Sequence, residues 1–254
     1  MKDQPVPAFA DPEIIESQVL HALADFRGAR VLEIGCGDGR MMRHYVPEAA
    51  LAVGLDLDYD EMMLSRSDYL KAWQPRVRLV QSAAEAMPFA DASFDLVVFG
   101  WSLCCVLPSG KSPSLRECWR VASSAVLDIR PIVDAPQVWV RDRSGREVAC
   151  GELSRRPGGP RHYHAEAAAA VERAVLDGWF TIVTIRHFDW VDTFTDAEEL
   201  VASVEEDWED WTVNEDTSLA LLAGLDRAGR GAVPFTRQGI QAQILRKVRE
   251  QSLV

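Results

Sequence analysis

Short apolar runs recur along the first half of the chain: VLEIG (31–35), LAVGLD (51–56), VRLVQ (77–81), DLVVFG (95–100) and AVLDI (125–129). They are continuous rather than alternating, the pattern of strands covered on both faces. Most are separated by enough residues for a crossover helix, so the spacing predicts a parallel sheet. The second connection is the clearest helix. Asp58 with Glu61 makes a capping-box pattern, Met62, Tyr69 and Trp73 line one face with Met63 and Leu70, and Pro75 ends it.

After residue 130 the pattern changes. QVWVRDRSGREVAC (137–150) reads as a hairpin turning at Ser144–Gly145, a looser Arg-, Gly- and Pro-rich stretch follows at 155–161, and an Ala-rich helix ends at Gly178. WFTIVTIRHFDW (179–190) reads as a sixth strand and QGIQAQILRKV (238–248) as a seventh. Between them Thr195, with Glu198 in reach, is the expected cap of a helix whose apolar stripe is Leu200, Val201, Val204, Trp208 and Trp211. The expectation is an α/β fold in one domain, 1–254, with insertions at about 134–160 and 192–234 able to cover a sheet edge.

Composition adds little except in charge. At 48% hydrophobic and 26% charged, the 254 residues are those of an ordinary globular protein, and no run reaches the ~18–20 apolar residues of a membrane span. The first residues lack the pattern of a secretory signal. Five cysteines (36, 104, 105, 118, 150) with no CxxC pair suggest neither a disulfide framework nor a metal site, and a cytoplasmic location is expected. The net charge is −12, and residues 192–216 hold 11 acidic side chains with no Lys or Arg, leaving −12 + 11 = −1 elsewhere. Such a balance argues against binding to nucleic-acid backbones.

The chemistry concentrates in VLEIGCGDGR (31–40). A strand that ends in Gly-x-Gly-x-Gly and runs into a helix, here from about Asp38, lets the backbone turn tightly and approach a ligand. The dinucleotide fingerprint G-x-G-x-x-G/A fails because position 40 is Arg. Glu33 and Asp38 are unhelpful around a phosphate but suit a ligand carrying an ammonium group. Asp56 closes the second strand, 17 residues after Gly39, where α/β nucleoside binders place a carboxylate for the ribose hydroxyls.

These residues resemble the class I S-adenosylmethionine-dependent methyltransferases, the small-molecule, type 11-like branch. VLEIGCGDGR is similar to that family's first motif, GLDLDYDEM to its second, and AAEAMPFADASFDLVVFGWSL to the stretch spanning its third and fourth. The resemblance covers about 28–130, the cofactor-binding half. It implies a Rossmann-like, doubly wound, seven-stranded sheet, mostly parallel with an antiparallel last strand and helices on both faces. It implies S-adenosylmethionine as cofactor, with Gly35, Cys36, Gly37, Asp38 and Gly39 against its methionine part and Glu33 helping to hold the amino end through solvent. Asp56 would grip the ribose, Leu57 would pack on the adenine, Ala83, Ala84 and Glu85 would border the adenine edge, and Gly100 and Trp101 the reacting methyl. Many relatives carry Asp where this chain has Ala83, a lost polar contact of roughly 0.5–1.5 kcal/mol. Glu85 either compensates or caps a short helix after it.

Methyl transfer is an in-line displacement in which alignment supplies much of the rate, and a general base is needed only for a protonated acceptor. His162 and His164 in RHYHAEA are the candidate bases, against the alternative of a solvated helix start. His187 and Asp189 share a strand face as a base–orienter pair or as structural partners. Cys104 and Cys105 follow the fourth strand without a third Cys at ligand spacing, and no metal is expected. The acidic segment is either a packed lid whose carboxylates face water or a charge filter for a cationic acceptor. Trp101, Trp139, Trp190, Trp208 and Trp211 suit a small organic acceptor or a packed lid equally. The expected activity is methyl transfer to a small molecule. Another use of the sulfonium, such as aminopropyl transfer, and a non-catalytic nucleotide-binding partner subunit are the competing readings.

Overall fold

The computed structural model describes residues 10–67, 70, 72, 75–158, 163–208 and 210–248. The expected helix positions Tyr69 and Trp73 lie outside them. In chain order the elements are α1 (Pro12–Leu23), β1 (Arg30–Ile34), β2 (Leu51–Asp56), α2 (Tyr59–Ser67), β3 (Val77–Gln81), β4 (Phe94–Gly100), α3 (Pro108–Val121), β5 (Ala122–Pro131), β6 (Gln137–Arg141) and β7 (Glu147–Glu152). They continue as β8 (Ser154–Arg155), α4 (His164–Leu176), β9 (Phe180–Thr193), α5 (Ala197–Asp207), β10 (Trp211–Thr212), α6 (Glu215–Ala228) and β11 (Val233–Lys247). The chain divides into two compact units. The larger is built on Ser17–Pro131, Tyr163–Arg186 and the chain from Gln241, the smaller on the chain before Ser17, residues 132–162 and His187–Ile240.

The larger unit carries the seven expected strands, in the order β3-β2-β1-β4-β5-β11 with β9 also pairing β11. The pairs β1·β2, β1·β4, β2·β3 and β4·β5 are all parallel, with Leu32 opposite Val53 on one side and Val97 on the other. Successive side chains of a strand point to opposite faces. On one face Leu32, Ile34, Val53, Leu55, Val97, Phe99 and Val126 pack with Leu115, Cys118 and Val121 of α3 and Ala167, Val171 and Ala174 of α4. On the other, Val31, Ala52, Val98 and Leu127 are also fully buried, which explains why the runs do not alternate. Each such side chain contributes roughly 1.5–3 kcal/mol by leaving water.

The chain leaves β1 for β2 and β3 on one side and returns for β4 on the other, so the switch of direction falls at β1. Open α/β sheets bind ligands outside the carboxyl ends of the strands at that point. The segment after the glycine loop departs from the expected helix. It forms tight turns and a single 3₁₀ turn at Met42–His44, because Pro47 has no N–H to continue a helix and the chain must reach β2 by Leu51.

In the smaller unit β6 and β7 form the hairpin, with Arg141 opposite Glu147. Asp142 Oδ1 accepts from the backbone N–H of Ser144 at 2.8 Å and of Arg146 at 3.0 Å, and Gly145 takes φ +88°. The first half of β11 pairs antiparallel with β6. Leu200 and Val204 of α5, Trp211 and Leu221 bury together with Val138 and Val140. The cap of α5 is Asp196, whose Oδ1 accepts from Glu199 N–H at 2.9 Å, one residue after the expected Thr195; Thr195 instead donates its N–H and hydroxyl to the Glu199 carboxylate. A helix N-terminus offers several free N–H groups, and the longer reach of Glu199 lets both residues serve one end. The acidic residues do not all face water. Asp210 is buried and takes Arg155 at 2.6 Å, and burial pushes the carboxyl of Asp192 upward while Trp190 Nε1–H donates to it. No helix among the described residues is long and apolar enough to cross a membrane.

Candidate functional site

The site begins where β1 ends. Gly35, Gly37 and Gly39 take φ of +65°, +48° and +82°, a region L side chains rarely enter. Gly35 is also constrained by space: a Cβ there would fall 2.5 Å from Cβ of Ser102, whose hydroxyl donates to the Ile34 carbonyl. The loop is thereby tied to the segment after β4. A Cβ on Gly37 would stand 3.1 Å from Glu61 Oε2, and Glu61 lies in the first turn of α2, capped by Asp58.

Asp56, the last residue of β2, organises this loop. Its Oδ2 accepts from Gly37 N–H at 2.8 Å and its Oδ1 from Asp58 N–H at 3.0 Å. A carboxylate has about four acceptor positions, so about half of its capacity remains for a ligand. The neighbouring N–H groups of Gly35 and Cys36 go to the Leu55 carbonyl, at 2.7 and 3.2 Å. Asp38 Oδ1 accepts from Arg40 N–H at 2.9 Å and closes the loop. Leu57 follows with 67% of its surface exposed, unusual for a leucine beside a carboxylate. Ser82 N–H donates to the Asp56 carbonyl, so the turn bearing Ala83 and Ala84 lies alongside Asp56.

Beneath the loop Glu33 is buried, 1% exposed, and its Oε2 accepts the Tyr45 hydroxyl at 2.5 Å. Burial, with the Glu33 charge, holds the Tyr45 phenol well above its ordinary range. Burial likewise pushes the Cys36 thiol up, and the charges of Glu33, Asp56 and Asp38 add to the effect. The glycine cradle is therefore ringed by carboxylates. A pyrophosphate would be repelled there, and a sulfonium or ammonium ligand would be favoured.

After β4, Trp101 adopts φ +62°, the left-handed region that costs a side-chain residue of order 1–3 kcal/mol and is usually kept for a functional reason. Its N–H donates to the Ile129 carbonyl at 2.8 Å, and the Arg40 guanidinium lies 5.7 Å from its ring centre. The thiols of Cys104 and Cys105 both donate to the Trp101 carbonyl, at 3.2 and 3.5 Å. Gly100 leaves no room for a side chain against Met41.

The Glu85 carboxylate lies against the first turn of α3, where a Cβ on Gly110 would collide with it, a position the helix dipole favours. His162 lies outside the described residues. His164 opens α4 and is 5% exposed, and α4 is attached to the loop after β4 by Tyr163 N–H on the Cys104 carbonyl at 2.9 Å. His187 is exposed, and Asp189 pairs with Arg237 at 3.6 Å rather than with it. Among the described residues no group of three or more His, Cys, Asp or Glu could hold a metal ion.

Pattern alone did not single out Lys111 or the Asp128–Arg130 pair. Lys111, fully buried in α3, donates its Nζ to the carbonyls of Leu103 (2.7 Å), Cys104 (3.3 Å) and Val106 (2.5 Å), and burial lowers its pKa. Asp128 and Arg130 pair at 3.0 Å inside the sheet, where burial raises the Asp128 pKa against the opposing charge of Arg130. The only signal in the sequence was two charges at alternate positions of an otherwise apolar strand.

The methyltransferase domain family matches residues 32–125. The chain is 29% identical over 133 residues to malonyl-[acyl-carrier protein] O-methyltransferase of Pseudescherichia vulneris, covering 42% of this chain and 50% of that protein. It is 32% identical over 136 residues to demethylmenaquinone methyltransferase of a Roseiflexus species, covering 52% and 44%. It thus spans about half the length of these relatives. A Bacillus halodurans protein solved as a candidate methyltransferase shares the fold at a TM-score of 0.58 and 16% identity, over 93% of this chain and 99% of that one. Residues 32–125 thus carry the match to a methyltransferase domain, and the fold is shared with a solved methyltransferase-like chain.

Proposed function

We propose that the protein transfers the methyl group of S-adenosylmethionine to a small organic acceptor. The observation that carries this reading is the glycine cradle ringed by Glu33, Asp38, Asp56 and Glu61, which fits a nucleoside bearing a sulfonium and an ammonium group. When bound, that nucleoside supplies an electrophilic methyl on sulfur. Gly35, Gly37 and Gly39 admit the methionine part against bare backbone, and Glu33, held by Tyr45, offers its charge to the amino end. Asp56 gives its remaining acceptor positions to the ribose hydroxyls, the exposed Leu57 covers one face of the adenine, and Ala83 and Ala84 border its edge. Gly100 and the constrained Trp101 line the side on which the acceptor enters.

Two of the relatives act, by their names, on an acyl carrier protein-bound malonyl group and on demethylmenaquinone, and both are methyltransferases. Their kinship supports the reaction class and leaves the acceptor to be read from this chain. Calorimetric titration with S-adenosylmethionine, S-adenosylhomocysteine and, as control, NAD tests the reading. Micromolar binding of both sulfur nucleosides and none of NAD is expected, and absence of either sulfur nucleoside would end it. Recovery of S-adenosylhomocysteine from a turnover mixture, rather than the methylthio nucleoside left by aminopropyl transfer, identifies the reaction.

A further inference from the structure

The carboxyl end of β5 breaks an apolar strand with two charges. Val126, Asp128 and Arg130 alternate onto one face, where Val126 joins the core and Asp128 and Arg130 are 1% and 3% exposed. Asp128 Oδ2 accepts from Arg130 Nε at 3.0 Å and from Gln243 Nε2 at 2.9 Å. The terminal nitrogens of Arg130 have no partner among the described residues. The guanidinium is thus held by Asp128 at one edge while its outer nitrogens remain open to a further acceptor.

The position of these donors is informative. Phe99 is opposite Asp128, Gly100 is opposite Ile129, and the Trp101 N–H is bound to the Ile129 carbonyl. Arg130 therefore ends its strand beside Trp101, at the carboxyl ends of β4 and β5, where sheets of this kind take their ligands. The other buried cation near it, Lys111, has its ammonium fully engaged by three carbonyls. A guanidinium fork suits a planar carboxylate bidentately. A phosphate monoester, with roughly −1.5 to −2 charges at neutral pH, would overcompensate in a site already ringed by carboxylates.

We infer that the methyl acceptor carries a carboxylate and that Arg130 binds it, an inference that rests on the methyl-transfer reading above. The substrate class is then small organic acids. The test is calorimetric titration of the S-adenosylhomocysteine-saturated protein with unbranched alkanoates from acetate to decanoate, the matching primary amides, and the matching alkyl phosphates. At least one alkanoate is expected to bind about tenfold or more tightly than its amide, the difference one charge-assisted bidentate contact supplies. Arg130→Met should remove that preference while leaving S-adenosylhomocysteine affinity within about twofold, and Arg130→Lys should restore part of it.

No preference for acid over amide, or a preference that survives in Arg130→Met, would reduce the pair to a structural ion pair and overturn the inference. Stronger binding of the phosphates would overturn the carboxylate assignment. If Arg130→Met does not fold, the acid–amide comparison in the wild type and in Arg130→Lys decides. Failure of the wild type to bind S-adenosylhomocysteine would be a failure of the methyl-transfer reading instead, so the two are separable.

Discussion

Replacing Asp56 by alanine removes one carboxylate with two tasks, and the structure lets their sizes be separated. Toward the protein, Asp56 accepts the N–H groups of Gly37 and Asp58 at 2.8 and 3.0 Å. Hydrogen bonds to a charged group are worth roughly 1.5–3 kcal/mol each when buried, and the partial exposure of Asp56 argues for the lower end or less. Loss of the pair should cost about 1–3 kcal/mol of stability, or a fall in Tm of about 2–12 °C at the ~2–4 °C per kcal/mol of a chain this size. Toward the ligand, the two remaining acceptor positions meet the ribose hydroxyls. Losing both should cost about 3 kcal/mol or more, a Kd for S-adenosylhomocysteine raised on the order of 100-fold. Asp56→Asn keeps one carbonyl oxygen but faces one N–H with its own NH₂, so an intermediate affinity is expected. Thermal melting and calorimetry on the same preparations read the two tasks independently. A folded Asp56→Ala protein that binds S-adenosylhomocysteine within about threefold of wild type would refute the ribose role, whatever happens to Tm.

Three further outcomes rest on particular contacts. Tyr45→Phe keeps the stacking on Phe26, 4.9 Å between ring centres, and removes the hydroxyl from buried Glu33, so denaturant titration should show a loss of about 1–3 kcal/mol with the core otherwise intact. Lys111→Met strips the donor from three carbonyls, while Tyr163 N–H remains on that of Cys104. Hydrogen exchange at 101–107 should quicken, and stability should fall by about 2–4 kcal/mol; unchanged exchange would show that Lys111 does not hold this loop. The hydrogen bond from Arg120 holds the Glu117 carboxyl below its ordinary 4.5. A depressed carboxylate stabilises the fold above its unfolded value and loses that contribution as pH falls through the folded one. Unfolding followed from pH 6 to pH 2 should therefore steepen below about 4.5 in the wild type, and Glu117→Gln should flatten that limb.

How much of the molecule is legible in its sequence depends on how local each cause is. The buried strands announce themselves because a strand covered on both faces needs apolar side chains at every position, and Val31 to Ile34 largely supply them. The glycines at 35, 37 and 39 are legible as a ligand loop because backbone with positive φ and no room for a Cβ restricts identity at single positions. The element after the loop is not: whether Asp38 to Pro47 winds as an α-helix depends on the distance left to β2, which sequence spacing bounds but does not set. The cap of α5 slipped from Thr195 to Asp196 for a related reason. Several side chains there can accept from the same free N–H groups, and packing of Leu200 and Val204 decides the frame. Lys111 was out of reach altogether, since a lysine is buried only when carbonyls from a distant loop converge on it, and those carbonyls belong to backbone that carries no residue code. Arg130 lies between these cases. Two charges on the core face of AVLDIR are a visible violation of the apolar pattern, and a sequence usually breaks its own rule where function requires it. The pair Asp128–Arg130 could have been flagged from that alone, but only the geometry shows that one partner is spent on Gln243 and Arg130 while the other still has donors to give.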